Sequence, residues 1–257
     1  MPLAFTRQVS PRIVECALTH LDRQPIDPDR AAVQHAGYEQ ALRDAGYDVI
    51  RLPYLPDDPD AVFVEDTAIL LGDHAIITRP GTPARAGETR STAEGLGAYF
   101  AVRSLAAGTL DGGDVLRIGK TLYVGQSSRT DAAGSSALEE VVARLGYRVV
   151  PVELGRCLHL KTAVTYAGID REGRPTLLVN PDWVDPSLFP DTDPLTVADG
   201  EPFAANVVRA RDRLIMAAGS PGTAAKLRER GFVVVEVDLS DLQKAEAGGT
   251  CMSLLSD

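Results

Sequence analysis

Residues 114–154 read DVLRIGKTLYVGQSSRTDAAGSSALEEVVARLGYRVVPVEL, and this one stretch spells out a complete structural unit. An apolar run, DVLRIG, is separated from a second, TLYVGQ, by Gly119-Lys120, the pattern of a hairpin. Residues of about 130–145 then carry ALEEVVARLG, whose apolar positions recur at helical spacing. Gly146-Tyr147 follows, a glycine suited to a helix C-cap, and leads into the Val-rich RVVPVEL. The unit is strand, turn, strand, helix, strand.

The same unit echoes outward in both directions. Gly46-Tyr47 precedes DVIRLP, and Gly231-Phe232 precedes VVVEVDL. Further hairpin pairs are AVFVEDTAILL with HAIITRP, NVVRA with RLIMAAG, and TAVTYAGI with PTLLVN, the first two turning at Leu71-Gly72-Asp73 and Ala210-Arg211-Asp212. Helices are expected at about 87–98 and 221–230, with Pro221 in a first turn. The last strand, CMSLL, has no partner after it. If it pairs beside RIVECAL and a helix at about 33–45 completes the unit, five similar modules close into a ring with both termini in one module. Closure removes exposed sheet edges. The stretch 16–30, CALTHLDRQPIDPDR, is rich in turn formers and charge and reads as a loop, a candidate lid.

Composition narrows the function. A chain of 257 residues, 44% of them hydrophobic, buries a substantial core, and one domain spanning 1–257 is the expectation. The 36 acidic residues against 26 basic give a net charge of −10, which opposes nucleic-acid binding and mildly favours a cationic substrate. No apolar run reaches bilayer length and MPLAFTRQVSPR lacks a signal-peptide core, so no membrane association and a cytoplasmic location are expected. Cys16, Cys157 and Cys251 form no CxxC pair and no even framework, which argues against disulfides and structural zinc. The four histidines show no metal-ligand spacing.

Polar residues fall at or near the first strand of each module: Glu65-Asp66, Asp111 with Asp114, His159, Asn206 and Cys251. A ring gathers such positions around one central opening. Cys251 sits in GGTCMSLL, where two glycines allow close backbone approach before a buried strand. A lone cysteine is usually a small buried hydrophobe, and Cys16 and Cys157, without a glycine-rich approach, fit that description. His159, in CLHLKTAV, is equally compatible with a hydrogen-bonded core histidine, but with a thiol and carboxylates in the same ring it can act as general acid and base. Asp111-Gly-Gly-Asp114 reads either as a hairpin turn or as two carboxylates that approach a bound cation closely. Glu65-Asp66 interrupts an apolar strand, where two carboxylates are costly unless paired or solvated. Strand alternation sends them to opposite faces, and Asp66 is the one expected at the substrate. Arg85 and Arg129 lie in loops after hairpins, as solvated charges or as clamps for a carboxylate.

Taken together, DAVFVEDTAIL, ITRPGTPAR, TLDGGDVL, GQSSRT, LHLKTAV, AAN and GGTCMSLL resemble the dimethylarginine dimethylaminohydrolase family of guanidino-modifying enzymes, in the family's order and from about residue 33 to the end. The resemblance implies an α/β fold, a five-bladed pseudo-symmetric propeller of ββαβ units with its site in the central channel. It implies Cys251 as nucleophile, His159 as general acid and base, and Asp111 as the carboxylate that assists at the guanidinium and orients the site. It further implies Asp66 as guanidinium anchor, Asp60 and Glu65 at the substrate site, Arg85 and Arg129 at its α-carboxylate end, and Leu18 as lid leucine. The implied substrate is a methylated arginine, converted to citrulline without metal or organic cofactor. Lys161 stands where arginine deiminases of similar fold place an aspartate, and this chain is shorter than those relatives. A non-catalytic propeller used as a binding module is the alternative from another class. Ring closure leaves the outer helices exposed, and a homodimer through them is carried as an expectation.

Overall fold

The computed structural model describes residues 2–256. Its five three-stranded sheets stand as blades around a ring, so the α/β propeller expected from the sequence is what forms. In every blade the middle strand runs antiparallel to the inner one and parallel to the outer one. The antiparallel partner is reached by a tight turn, whereas the parallel one needs a crossover.

The blade quoted above consists of Val115–Ile118, Thr121–Gln126 and Arg148–Glu153. Its crossover helix, Ala132–Val142, starts where the Asp131 carboxylate accepts the Gly134 N–H at 2.6 Å. It ends, through one 3-10 turn, at Gly146, whose φ of 76° only glycine adopts cheaply. Gly46 and Gly231 repeat that positive φ after their own helices, as their place before each Val-rich strand predicts.

The ring closes through the termini, but with a different partner from the one expected. Leu254–Leu255 pairs antiparallel with Leu3–Thr6, not with RIVECAL, and Leu3–Thr6 runs parallel to Asp48–Arg51. Within RIVECAL, Ile13–Glu15 is a 3-10 turn. The helix expected from about 33 begins at Pro28 and runs to Asp44, capped by the Asp27 carboxylate on the N–H groups of Asp29 and Arg30. The loop therefore ends at 27 rather than 30.

The fourth blade breaks the repeat. Val164–Ile169, Pro175–Val179 and Asp193–Thr196 form its sheet, but the crossover between the last two holds only the 3-10 turn Pro186–Leu188. Pro181, Pro186, Pro190 and Pro194 cannot continue a helix there.

The core is divided as the ring is. Five apolar clusters each fill one blade-to-blade interface; Phe5, Leu96 and Leu254 lie between the first and second blades, and Leu178, Val207 and Leu214 between the fourth and fifth. Each fully buried Leu, Ile or Phe contributes roughly 1.5–3 kcal/mol of transfer free energy, so every interface is a substantial cohesive unit.

Candidate active site

Each blade delivers its functional residues in the same way. Just before the inner strand the chain makes one short helical turn: Val64–Thr67, Gly112–Asp114, Leu160–Ala163 and Thr250–Met252. Asn206 precedes its strand, Val207–Ala210, directly. Glu65-Asp66 is thus not a strand interruption, and Asp111-Gly-Gly-Asp114 is not a hairpin turn. Both are helical turns at the ring's centre, where side chains three residues apart spread around a narrow channel.

Cys251, His159, Asp66, Asp60, Arg85 and Arg129 line one cavity of about 30 Å³. His159 is 5% exposed, and its two ring nitrogens face carboxylates: Nε2 lies 3.0 Å from Asp111 Oδ2 and Nδ1 3.9 Å from Asp66 Oδ1. Burial disfavours the imidazolium, but Asp66, the Asp111 hydrogen bond and Asp114 outweigh it and raise the His159 pKa to about 9. Asp111 is held in turn by the Gly81 N–H at 2.8 Å. Gly113 is required here: a Cβ would stand 2.7 Å from His159 Nδ1 and 2.9 Å from Asp66 Oδ1.

Asp66 holds Arg85 through Oδ2 at 2.5 Å and accepts the Gly113 N–H on Oδ1 at 3.2 Å, leaving Oδ1 toward the imidazole. Burial works against its charge, yet His159 and Arg85 keep its pKa below the usual carboxylate range. The Cys251 thiol accepts the Gly248 N–H at 3.3 Å, while burial, Glu65 and Asp66 push its pKa up to about 12. The resting site therefore pairs a thiol with an imidazolium.

The remaining sequence-derived residues fall less simply. Arg85, expected at an α-carboxylate, has every nitrogen engaged: Nε and Nη2 with Glu88, Nη1 with Asp66, and Nη2 also with the Phe63 carbonyl. In this geometry it positions Asp66. Arg129 donates to the hydroxyls of Thr82 and Thr19, the latter at 2.8 Å, and its Nη1 lies 3.9 Å from Asp111 Oδ2, so its direct hydrogen bonds are to hydroxyls that a carboxylate can displace. Asp60 accepts the Ala17 N–H at 3.2 Å on both oxygens. Glu65 does not line this cavity, its carboxylate taken by Lys161 at 2.5 Å and the Thr250 hydroxyl at 2.7 Å. Leu18 packs against the apolar cluster between the first and fifth blades, and Ala17 lines the cavity instead.

Of the supporting residues, Arg7 carries no sequence signal, whereas Asn206 stands among the polar residues expected at the central opening. Arg7 is fully buried and donates to the carbonyls of Pro53 and Ala61 and to the Thr92 hydroxyl, fixing the loop that carries Asp60. Asn206 clasps the turn that carries Cys251, donating to Thr250 Oγ1 at 3.1 Å and accepting the Thr250 N–H at 2.9 Å. Asp66, Asp111 and His159 offer ligand atoms within 4.8 Å of one another, a set able to hold a cation. The cation bonded to Asp66 is a guanidinium, that of Arg85.

Fold and site together define a class: five-bladed α/β propellers whose central channel carries a thiol, an imidazole and carboxylates. No family model matches the chain. It is 39% identical to the N(G),N(G)-dimethylarginine dimethylaminohydrolase of Streptomyces coelicolor, over 98% of this chain and 95% of that one. Identity to the enzyme of the same name from Pseudomonas aeruginosa is 36%, over 89% of each chain. Among solved structures, a cysteine-to-serine mutant of the Pseudomonas aeruginosa protein complexed with citrulline superposes with a TM-score of 0.91 at 33% identity, covering 98% of both chains. The chain belongs to the dimethylarginine dimethylaminohydrolase family.

Proposed function

We propose that the protein hydrolyses an Nω-methylated arginine, asymmetric dimethylarginine or monomethylarginine, to citrulline and dimethylamine or methylamine. The observation that carries this reading is the convergence of Cys251, His159 and Asp66 on one small cavity, with Asp111 bonded to the imidazole.

The chemistry follows from the protonation states. A thiol raised to about 12 is a poor nucleophile until a cation arrives beside it. The substrate guanidinium, accepted by Asp66 Oδ1, is that cation; it favours the thiolate, and the thiol proton leaves to solvent. The Cys251 sulfur then bonds to the guanidinium carbon. As the carbon–nitrogen bond to dimethylamine breaks, the His159 imidazolium gives its proton to the departing nitrogen. A thiouronium ester on Cys251 remains, and His159 is now neutral. It takes one proton from the water that attacks the same carbon; as the carbon–oxygen double bond forms and the carbon–sulfur bond breaks, the second water proton passes to the departing sulfur, and citrulline leaves with the thiol and imidazolium restored. Asp111 keeps the imidazole oriented and stabilises its charged form, and Arg129 meets the α-carboxylate. Protein and water balance every step.

Support against a deiminase reading comes from Lys161, whose ammonium lies against Glu65 and offers the substrate no further acceptor. Citrulline release from asymmetric dimethylarginine and from arginine, measured side by side with Cys251→Ser, tests the proposal. Turnover of the methylated substrate alone, lost by ~10³-fold or more in the variant, is expected. Turnover of arginine instead moves the activity to deimination.

In this proposal residues 1–257 act as a single catalytic domain in the cytoplasm. All three cysteines are unpaired, which agrees with a reducing compartment, and no helix of the described residues is long and apolar enough to cross a membrane. The homodimer pairs through outer helices, where Val33 is 72% exposed, and sedimentation tests it.

A further inference from the structure

Four blades bring a reacting or charged group to the channel at the short turn before the inner strand: Cys251, Asp66, Asp111 and His159. The fifth brings an uncharged amide, Asn206, to the equivalent place ahead of Val207–Ala210. Asn206 is buried, yet it does not line the catalytic cavity. A buried amide must be satisfied at both ends, so its partners show what it holds.

Its Oδ1 accepts the Thr250 N–H at 2.9 Å. Its Nδ2 donates to the Lys161 carbonyl at 3.0 Å and to Thr250 Oγ1 at 3.1 Å. A backbone donor on one side and a backbone acceptor on the other fix which end of the amide faces which. Thr250 belongs to the turn that carries Cys251, and Lys161 to the turn that follows His159. One side chain of the fifth blade therefore ties the thiol-bearing turn of the first to the imidazole-bearing turn of the fourth.

The amide also lies against Gly248. A Cβ there would stand 2.3 Å from Asn206 Cγ, 2.4 Å from Oδ1 and 2.6 Å from Nδ2. Gly248 does not have a positive φ, so its backbone suits any residue and it is the Asn206 amide that excludes a side chain. Gly248 in turn donates its N–H to Cys251 Sγ at 3.3 Å. A donor on sulfur favours its charged form. Asn206 thus braces both ends of the 248–251 turn, the amide that faces the sulfur among them.

We infer that Asn206 is a positioning residue for the nucleophile, keeping the Gly248 N–H on the Cys251 sulfur and that sulfur in register with His159. Without it the turn loses three hydrogen bonds and the support under Gly248, and the thiolate forms less readily.

The inference rests on the hydrolase reading for the use made of the thiolate, but its test needs no turnover. Alkylation of Cys251 by iodoacetamide, which follows the thiolate fraction, is measured by mass spectrometry against pH in the full chain, in Asn206→Ala, in Gly248→Ala and in the double variant, with urea midpoints alongside. Loss of a hydrogen bond to a charged group is worth about tenfold, so each single variant should be alkylated about tenfold more slowly at a fixed pH below the thiol pKa, its profile displaced upward by about one unit. In the double variant the space beside Gly248 is already vacated, so the second substitution should slow the reaction no further than about twofold. A merely structural role predicts the opposite sign, since a loosened turn exposes the thiol and speeds alkylation. Alkylation as fast as in the parent or faster in both single variants, full additivity in the double variant, or loss of the cooperative urea transition in both single variants each overturns the inference. Alkylation rates as stated in a protein that releases no citrulline leave it standing and remove the hydrolase reading.

Discussion

His159 titrates between two carboxylates, and this gives a pH dependence with a definite sign. Its folded pKa of about 9 lies above the ordinary 6.5, so the stability it contributes is complete below 6.5 and is lost as pH climbs through about 9. The proton that the proposed mechanism passes from His159 to the leaving amine disappears over the same interval, so turnover should fall on the alkaline side near pH 9. Asp111→Asn removes one of the carboxylates that raise that value and should move the alkaline limb down by about one unit. The dependence of kcat on pH, followed by citrulline formation, checks this; a limb that stays in place would mean that Asp111 does not set the imidazole's charge. The chemical groups of this site were legible as residue types in short motifs. Their partners were not. Arg85 binds Asp66 and Glu88, and Glu65 binds Lys161, because buried carboxylates and cations in a narrow channel pair by distances that no local pattern encodes.

Among the elements, the helices with crossover duty were well marked and the short turns were not. Ala132–Val142 and Pro221–Glu229 carry enough residues to show a period and a glycine stop. Val64–Thr67 and Gly112–Asp114 have three or four residues, too few for a period, and their polar side chains read as strand faults or hairpin tips. The early start at Pro28 had a readable signal, an Asp-Pro pair at the cap and first-turn positions, which the loop-like composition of 16–30 obscured. Asp27→Ala deletes the two hydrogen bonds from Asp29 and Arg30, at 3.0 Å and 3.1 Å, and should lower unfolding stability by about 1 kcal/mol. Urea midpoints of the two proteins measure it. An unchanged midpoint would show that water caps this helix as well as the carboxylate does.

At the scale of the whole molecule, five apolar interfaces must close on one another, and the last is completed by two residues. Leu254 is 5% exposed and packs with Phe5, while Leu254–Leu255 supplies the inner strand of the first blade. Removal of 254–257 should lower the melting temperature by more than 5 °C, since burial of one leucine alone is worth about 2 kcal/mol, and should abolish turnover because the Cys251 turn loses its downstream anchor. A melting curve as high as that of the full chain would show that closure is dispensable. The sequence by itself determined the repeat, the number and order of the blades and the chemical groups they carry, because strand and helix periods and glycine stops are local properties of a few adjacent residues. Only the tertiary structure decided that residues 3–6 and not 12–18 meet the C-terminal strand, that Arg85 supports Asp66, and that Glu246 holds the amides of Thr19, His20 and Leu21. Those outcomes depend on distances between segments as much as 251 residues apart, as Ala4 and Leu255 are, which exist only once the ring is closed.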